Sequence, residues 1–198
     1  MKFCLFFKKE NFGNFFTVLR IILSPLAMWL LMQKELWLNI TSIIVVIVIA
    51  ISDGLDGCFS RKFNSNSTFG EIFDITADVI ANQLMLLALV QIGWLPIWAL
   101  ALVLVREITI AQWRSFLAVK TGKFEKAKSW GKIKTVSQFI AIINVAIFSA
   151  ATNLIINERV LFWLEIIANF SIYFMMFMVI YSWLCYIFYF WNITKKVF

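Results

Sequence analysis

Four carboxylates crowd an otherwise apolar stretch: Asp53 and Asp56, then Asp74 and Asp78, with Gly54, Gly57, Arg61 and Gly70 among them. Spacings of three and four residues put each pair on one face of a helix. A hairpin of two such helices would bring all four carboxylates to one point. Packed together they cannot all ionise uncompensated, because like charges raise one another's pKa; the remedies are shared protons or bound cations. Oxygen-only ligands favour hard cations such as Mg²⁺ or Mn²⁺ over zinc. Two such ions would clamp a phosphate and stabilise charge in a displacement at phosphorus. The glycines leave room for close backbone approach by a ligand, and Arg61 is placed to reach a diphosphate. The competing reading, aspartates that cap helices or mark a membrane–water boundary, suits single residues better than four with an arginine and glycines between them.

The elements that must position these groups are membrane spans. The 198-residue chain is 62% hydrophobic and 17% aromatic, the composition of a polytopic membrane protein. No linker or fixed-period repeat divides it, so a single domain is expected over residues 1–198. There is no histidine, which excludes His-based acid–base catalysis and His-ligated zinc and leaves carboxylates as the obvious proton acceptors. Cys4, Cys58 and Cys185 have no metal-ligand spacing and read as reduced thiols.

A hydrocarbon core about 30 Å thick needs about 20 helical residues. That ruler predicts an all-α fold with six transmembrane helices, near 15–33, 36–52, 72–92, 94–117, 134–153 and 161–192. A short amphipathic segment over 1–14 precedes them, with Lys2, Lys8, Lys9 and Glu10 among Phe and Leu. Arg20 inside the first apolar run, with no small-residue cleavage site after it, argues against a signal peptide. Pro25 should kink the first span, and Pro96 suits the first turn of the fourth. Glu165 and Asn169 place the early turns of the last span at the interface or in a polar contact. Of the 18 Lys and Arg, all but Lys34 and Arg159 fall on the side of the termini. The positive-inside rule makes that side cytoplasmic, and with it the carboxylate hairpin. The net charge of +7 is thereby explained by the membrane; no basic stripe interleaved with aromatics points to nucleic acid.

The pattern Asp53-x-x-Asp56-Gly57-x-x-Ser60-Arg61, eight residues, Gly70-x-x-x-Asp74-x-x-x-Asp78 resembles the signature of the CDP-alcohol phosphatidyltransferases. Seven specified positions match; Ser60 stands where that family usually has Ala. The resemblance implies that Asp53, Asp56 and Asp74 bind a metal pair, Mg²⁺ or Mn²⁺. It implies Arg61 on the diphosphate, with Gly57, Ser60 and Gly70 along the CDP pocket. It makes Asp78 the base and a further metal contact, in a homodimer of six-helix subunits. A base at that place needs only hydrogen-bond reach to an acidified hydroxyl.

Three more segments resemble the phosphatidylglycerophosphate synthases of that family: Asn14-x-x-Thr17-x-x-Arg20 with Pro25, Arg106-Glu107-Ile108 with Arg114, and Gly131-Lys132-Ile133-Lys134-Thr135 with Gln138. The expected reaction moves a phosphatidyl group from CDP-diacylglycerol to sn-glycerol 3-phosphate. Arg106, Arg114, Lys132 and Lys134 would form the acceptor's phosphate cluster. Arg106 and Arg114, eight apart, share a helix face, and arginine inside an apolar span is usually functional. Two departures weaken the choice of acceptor: the related synthases read Asp-Pro-x-Ala-Asp-Lys where this chain has Asp74-Ile75-Thr76-Ala77-Asp78-Val79, without the Pro and without the Lys. Serine, an inositol phosphate or phosphatidylglycerol are the alternative acceptors, and a non-catalytic Mg²⁺-binding membrane protein is the reading outside enzymes.

Overall fold

The computed structural model describes residues 12–63, 68–121, 128–154 and 157–197, with side chains throughout except at 12–16, 53–75, 118–121, 192 and 194–197. Six α-helices account for nearly all of it: α1 Phe12–Leu31, α2 Leu36–Phe63, α3 Thr68–Gln91, α4 Ile97–Thr121, α5 Ser129–Thr152 and α6 Glu158–Val197. No strand occurs among the described residues. Each helix overlaps one of the six expected apolar runs, with α2 and α6 extending beyond theirs. The amphipathic reading of 1–14 falls almost wholly outside the described residues.

The helix ends follow local chemistry. After α3, Gly93 takes a φ of 83°, a left-handed conformation that only glycine adopts without strain. The Trp94 N–H then donates to the Leu89 carbonyl at 2.9 Å and the Gly93 N–H to Val90 at 3.1 Å, the pair of bonds that closes a Schellman C-cap. Pro96 sits just before α4, where its carbonyl accepts from Ala99 at 3.0 Å and its missing N–H costs nothing. Pro25 lies within α1, which runs on to Leu31.

The helices pack in a closed ring: α1 on α2, α2 on α5, α5 on α6, α6 on α4, α4 on α3 and α3 back on α1, with α3 also touching α5 across the middle. Small residues allow the close approach that membrane helices need: Ala27, Ala88, Ala99, Ala141 and Ala168 are fully buried. They interleave with Val46, Ile49, Met85, Leu89, Ile142 and Met175 in the main core. Buried serines satisfy their hydroxyls within their own helices, as Ser24 does on Arg20 O at 2.6 Å and Ser137 on Lys134 O at 2.6 Å. A second cluster, Ile110, Leu117, Tyr186 and Phe190, joins α4 to the far part of α6.

The outside is as apolar as the inside. Trp37, Trp98, Phe162, Trp163, Phe170, Tyr173, Phe177 and Phe188 are all exposed, far more than a water-facing surface carries. Two helices, Ser129–Thr152 and Glu158–Trp191, are long and apolar enough to cross a membrane; Thr17–Leu31, Leu36–Ser52 and Thr76–Gln91 are shorter apolar helices. Helix α2 runs past residue 52, where the expected span ends, to Phe63, so Asp53 and Asp56 share one helix, as their spacing of three predicts. Glu165 and Asn169 are exposed, and the Asn169 amide donates to the Glu165 carbonyl of its own helix at 3.1 Å; of the two expected explanations, an interfacial position and a buried polar contact, the second does not hold.

Candidate functional site

Asp53, Asp56, Gly57, Ser60 and Arg61 all ride on α2, and Gly70, Asp74 and Asp78 on α3. The helical backbone therefore realises the i,i+3 and i,i+4 relationships read from the spacing, one face per pair. Of these residues only Asp78 has a described side chain. Its carboxylate is about one third exposed and forms an ion pair through Oδ1 with Nη1 of Arg20, which is 1% exposed. The pair links α3 to α1, the helix that packs on both acid-bearing helices.

Asp78 opens onto a cavity of about 140 Å³ walled by α3, α4, α5 and α6. Helix α4 contributes Arg106, Glu107, Ile110 and Arg114, and α5 contributes Gly131, Lys134 and Thr135. The 106/110/114 register is the one-face relationship that helical geometry gives residues four apart. Arg106, 4% exposed, is held on three sides. Its Nη1 donates to both Glu107 carboxylate oxygens at 3.1 and 3.0 Å, its Nη2 to Ser182 Oγ at 3.1 Å, and its guanidinium lies 5.5 Å from the Tyr186 ring centroid. Lys134 Nζ reaches the same Glu107 carboxylate from α5. One carboxylate thus bridges two cations that belong to different helices.

Gly131 makes this packing possible. A Cβ there would stand 2.8 Å from the Tyr186 hydroxyl, whose oxygen accepts the Lys128 N–H at 3.1 Å.

The structure brings Asp78, Arg106, Arg114 and Lys134 around one cavity but leaves Lys132 out of it. Lys132 is exposed and absent from the cavity wall, because residues two apart on a helix point to nearly opposite sides. Sequence reasoning gave no role to Glu107, though it stands in the Arg106-Glu107-Ile108 segment. It also missed Asn82, Ser182 and Tyr186. The last two lie in the C-terminal stretch that holds no motif, and only the folded ring brings them to α4.

The family reading would give a metal only oxygen donors, Asp53, Asp56, Asp74 and Asp78, which would suit a hard divalent cation; among the described residues no group of three such side chains comes together.

A family model described as CDP-alcohol phosphatidyltransferase matches residues 10–191. The chain is 33% identical over 144 residues to a CDP-diacylglycerol–glycerol-3-phosphate 3-phosphatidyltransferase of Treponema pallidum, an alignment covering 66% of this chain and 66% of the relative. It is 31% identical over 144 residues to the protein of the same description in Bacillus subtilis, covering 67% of this chain and 74% of the relative. Against the Escherichia coli K12 protein of that description it is 28% identical over 135 residues, with 67% and 74% covered.

Proposed function

The chain belongs to the CDP-alcohol phosphatidyltransferase family, and we propose that it transfers the phosphatidyl group of CDP-diacylglycerol to sn-glycerol 3-phosphate, giving phosphatidylglycerophosphate and CMP. The relatives named for this reaction support the substrates. One structural observation carries the choice of a phosphorylated acceptor. Arg106 and Arg114 line the cavity beside Asp78, and the Nε atom of each is buried without a hydrogen-bond partner among the described residues. Buried unpaired donors cost free energy, and a phosphate dianion is the ligand that relieves two guanidinium groups at once. Serine has no phosphate and no use for them.

In this reading the acceptor's phosphate sits against Arg106, Arg114 and Lys134, with Glu107 fixing Arg106 and Lys134 so that their charge is aimed and not spread. The acceptor's primary hydroxyl then lies toward Asp78. Arg20 engages one carboxylate oxygen of Asp78 and orients the group; the other oxygen takes the hydroxyl proton. The alkoxide oxygen forms a bond to the lipid-side phosphorus, and the phosphorus–oxygen bond to CMP breaks. Asp53, Asp56 and Asp74, with Asp78 beside them, are the residues that would hold divalent cations, Mg²⁺ or Mn²⁺, which when bound neutralise charge on the diphosphate. Gly57, Ser60, Arg61 and Gly70 lie on the same two helices and would face the CDP moiety.

Six membrane crossings, cytoplasmic termini and a cytoplasmic site belong to the same proposal. They are supported by the six helices, by the apolar outer surface and by the one-sided distribution of Lys and Arg. So do a single domain and the homodimer that the resemblance implies. The test is CMP release by purified protein in detergent with CDP-diacylglycerol and Mg²⁺, comparing glycerol 3-phosphate, serine, inositol, inositol phosphate and phosphatidylglycerol. Release confined to glycerol 3-phosphate supports the reading; release with serine alone would overturn the acceptor.

A further inference from the structure

The acceptor cavity contains a polar group, Asn82, that the transfer step does not use. Asn82 stands on α3 four residues beyond Asp78, hence on the same helix face about one turn on, and both line the cavity. Asn82 is 7% exposed, and its Oδ1 is buried with no hydrogen-bond partner among the described residues. An asparagine in a membrane helix ordinarily spends its amide on a neighbouring helix; here the acceptor oxygen is unspent. The other neutral polar side chains of the wall each have a hydrogen-bond partner. Thr135 Oγ1 donates to Gly131 O at 3.3 Å, and the Tyr186 hydroxyl accepts from the Lys128 backbone at 3.1 Å. Gln83 and Gln138 also have buried amide atoms without partners, but neither lines the cavity.

We propose that Asn82 is a specificity-determining residue whose Oδ1 accepts a hydrogen bond from the secondary hydroxyl of the acceptor. The inference rests on the phosphatidyl-transfer reading and deepens it. A glycerol phosphate carries its reacting primary hydroxyl at one end, its phosphate at the other and one further hydroxyl between. The cavity has the same order: Asp78 for the reacting end, Arg106, Arg114 and Lys134 on α4 and α5 for the phosphate. Asn82 is an unpaired acceptor on the α3 wall, and an unpaired acceptor calls for an O–H donor. Val79, Ile110 and Ala111 offer the middle of the ligand nothing polar. A site built to hydrogen-bond a substrate hydroxyl discriminates against the analogue lacking it, because the protein group is then left buried and unpaired.

The experiment compares glycerol 3-phosphate with 3-hydroxypropyl phosphate, which keeps the phosphate and the primary hydroxyl but lacks the secondary one. CMP release is measured for wild type, Asn82→Val and Asn82→Ser. Wild type is expected to favour glycerol 3-phosphate by at least about tenfold in kcat/KM, the size of one well-made hydrogen bond with a buried partner. In Asn82→Val, which keeps a similar volume and removes the acceptor, the preference should collapse to within about twofold, with the change carried mainly by KM for glycerol 3-phosphate. Asn82→Ser retains an acceptor oxygen and should recover part of the preference. A wild-type ratio near one, or a preference that survives in Asn82→Val, overturns the inference. Because the readout is a ratio on one preparation, a general loss of folded protein lowers both activities and leaves the preference in place, which also counts against it. No CMP release by wild type with either acceptor would instead overturn the phosphatidyl-transfer reading itself.

Discussion

Arg20 of α1 and Asp78 of α3 form an ion pair in which the arginine is almost fully buried and the aspartate opens to the cavity. The first helix therefore does more than cover the acid-bearing helices: it fixes a carboxylate that lines the same cavity as Arg106 and Lys134. Arg20→Met should keep the packing and leave Asp78 without its cation. Breaking a buried pair costs roughly 3 kcal/mol, less here because Asp78 is partly exposed. The variant should unfold at lower temperature in detergent and release CMP at least about a hundredfold more slowly, since a misplaced catalytic group is costly. Activity within twofold of wild type would show that the pair has no part in the reaction.

Glu107 bridges Arg106 and Lys134 across two helices. Its removal should be coupled to theirs. In a double-mutant cycle of Glu107→Gln and Lys134→Met, followed by unfolding in detergent, the interaction energy is expected at about 1–3 kcal/mol. Additive effects would mean that the two groups are neighbours without consequence.

Lys132 and Lys134 separate a surface charge from a site charge. Lys134→Ala should raise KM for glycerol 3-phosphate at least about tenfold, as loss of a charge-assisted contact does. Lys132→Ala should change it by less than about twofold, because exposed charges contribute little. Equal losses in the two variants would return Lys132 to the site.

Gly131 and Tyr186 make a steric prediction. The methyl group of Gly131→Ala meets the Tyr186 hydroxyl, so the variant should lose about 1–3 kcal/mol by overpacking. It should also displace the ring beside Arg106 and weaken acceptor binding. Adding Tyr186→Phe removes the oxygen that clashes and should restore much of the loss. If the double variant is no better than Gly131→Ala, the contact is not the cause.

Much of the fold was legible because its signals are local. Six apolar runs, Gly93 and Pro96 between α3 and α4, and the paired spacings of the aspartates need no knowledge of distant contacts. The eight-residue separation of Arg106 and Arg114 correctly put both on one wall of the cavity. The same periodicity, applied to Lys132 and Lys134, would have split them; grouping them by motif overrode it. What was not legible is long-range. Arg20 meets Asp78, and Arg106 meets Ser182 and Tyr186, only because the ring of helices sets α1 beside α3 and α6 beside α4. Glu107 was visible as a residue but not as a bridge, since its partner Lys134 comes from another helix.

The most direct measurement is the lipid product formed from CDP-diacylglycerol and glycerol 3-phosphate with Mg²⁺, read by mass spectrometry beside CMP release, for wild type and Asp78→Asn. The account predicts phosphatidylglycerophosphate and equimolar CMP from wild type, loss of both on chelation of the metal, and no product from Asp78→Asn although it still binds CDP-diacylglycerol. Undiminished product from Asp78→Asn would remove Asp78 as the base. A wild-type product without the glycerol phosphate headgroup would contradict the account at its centre.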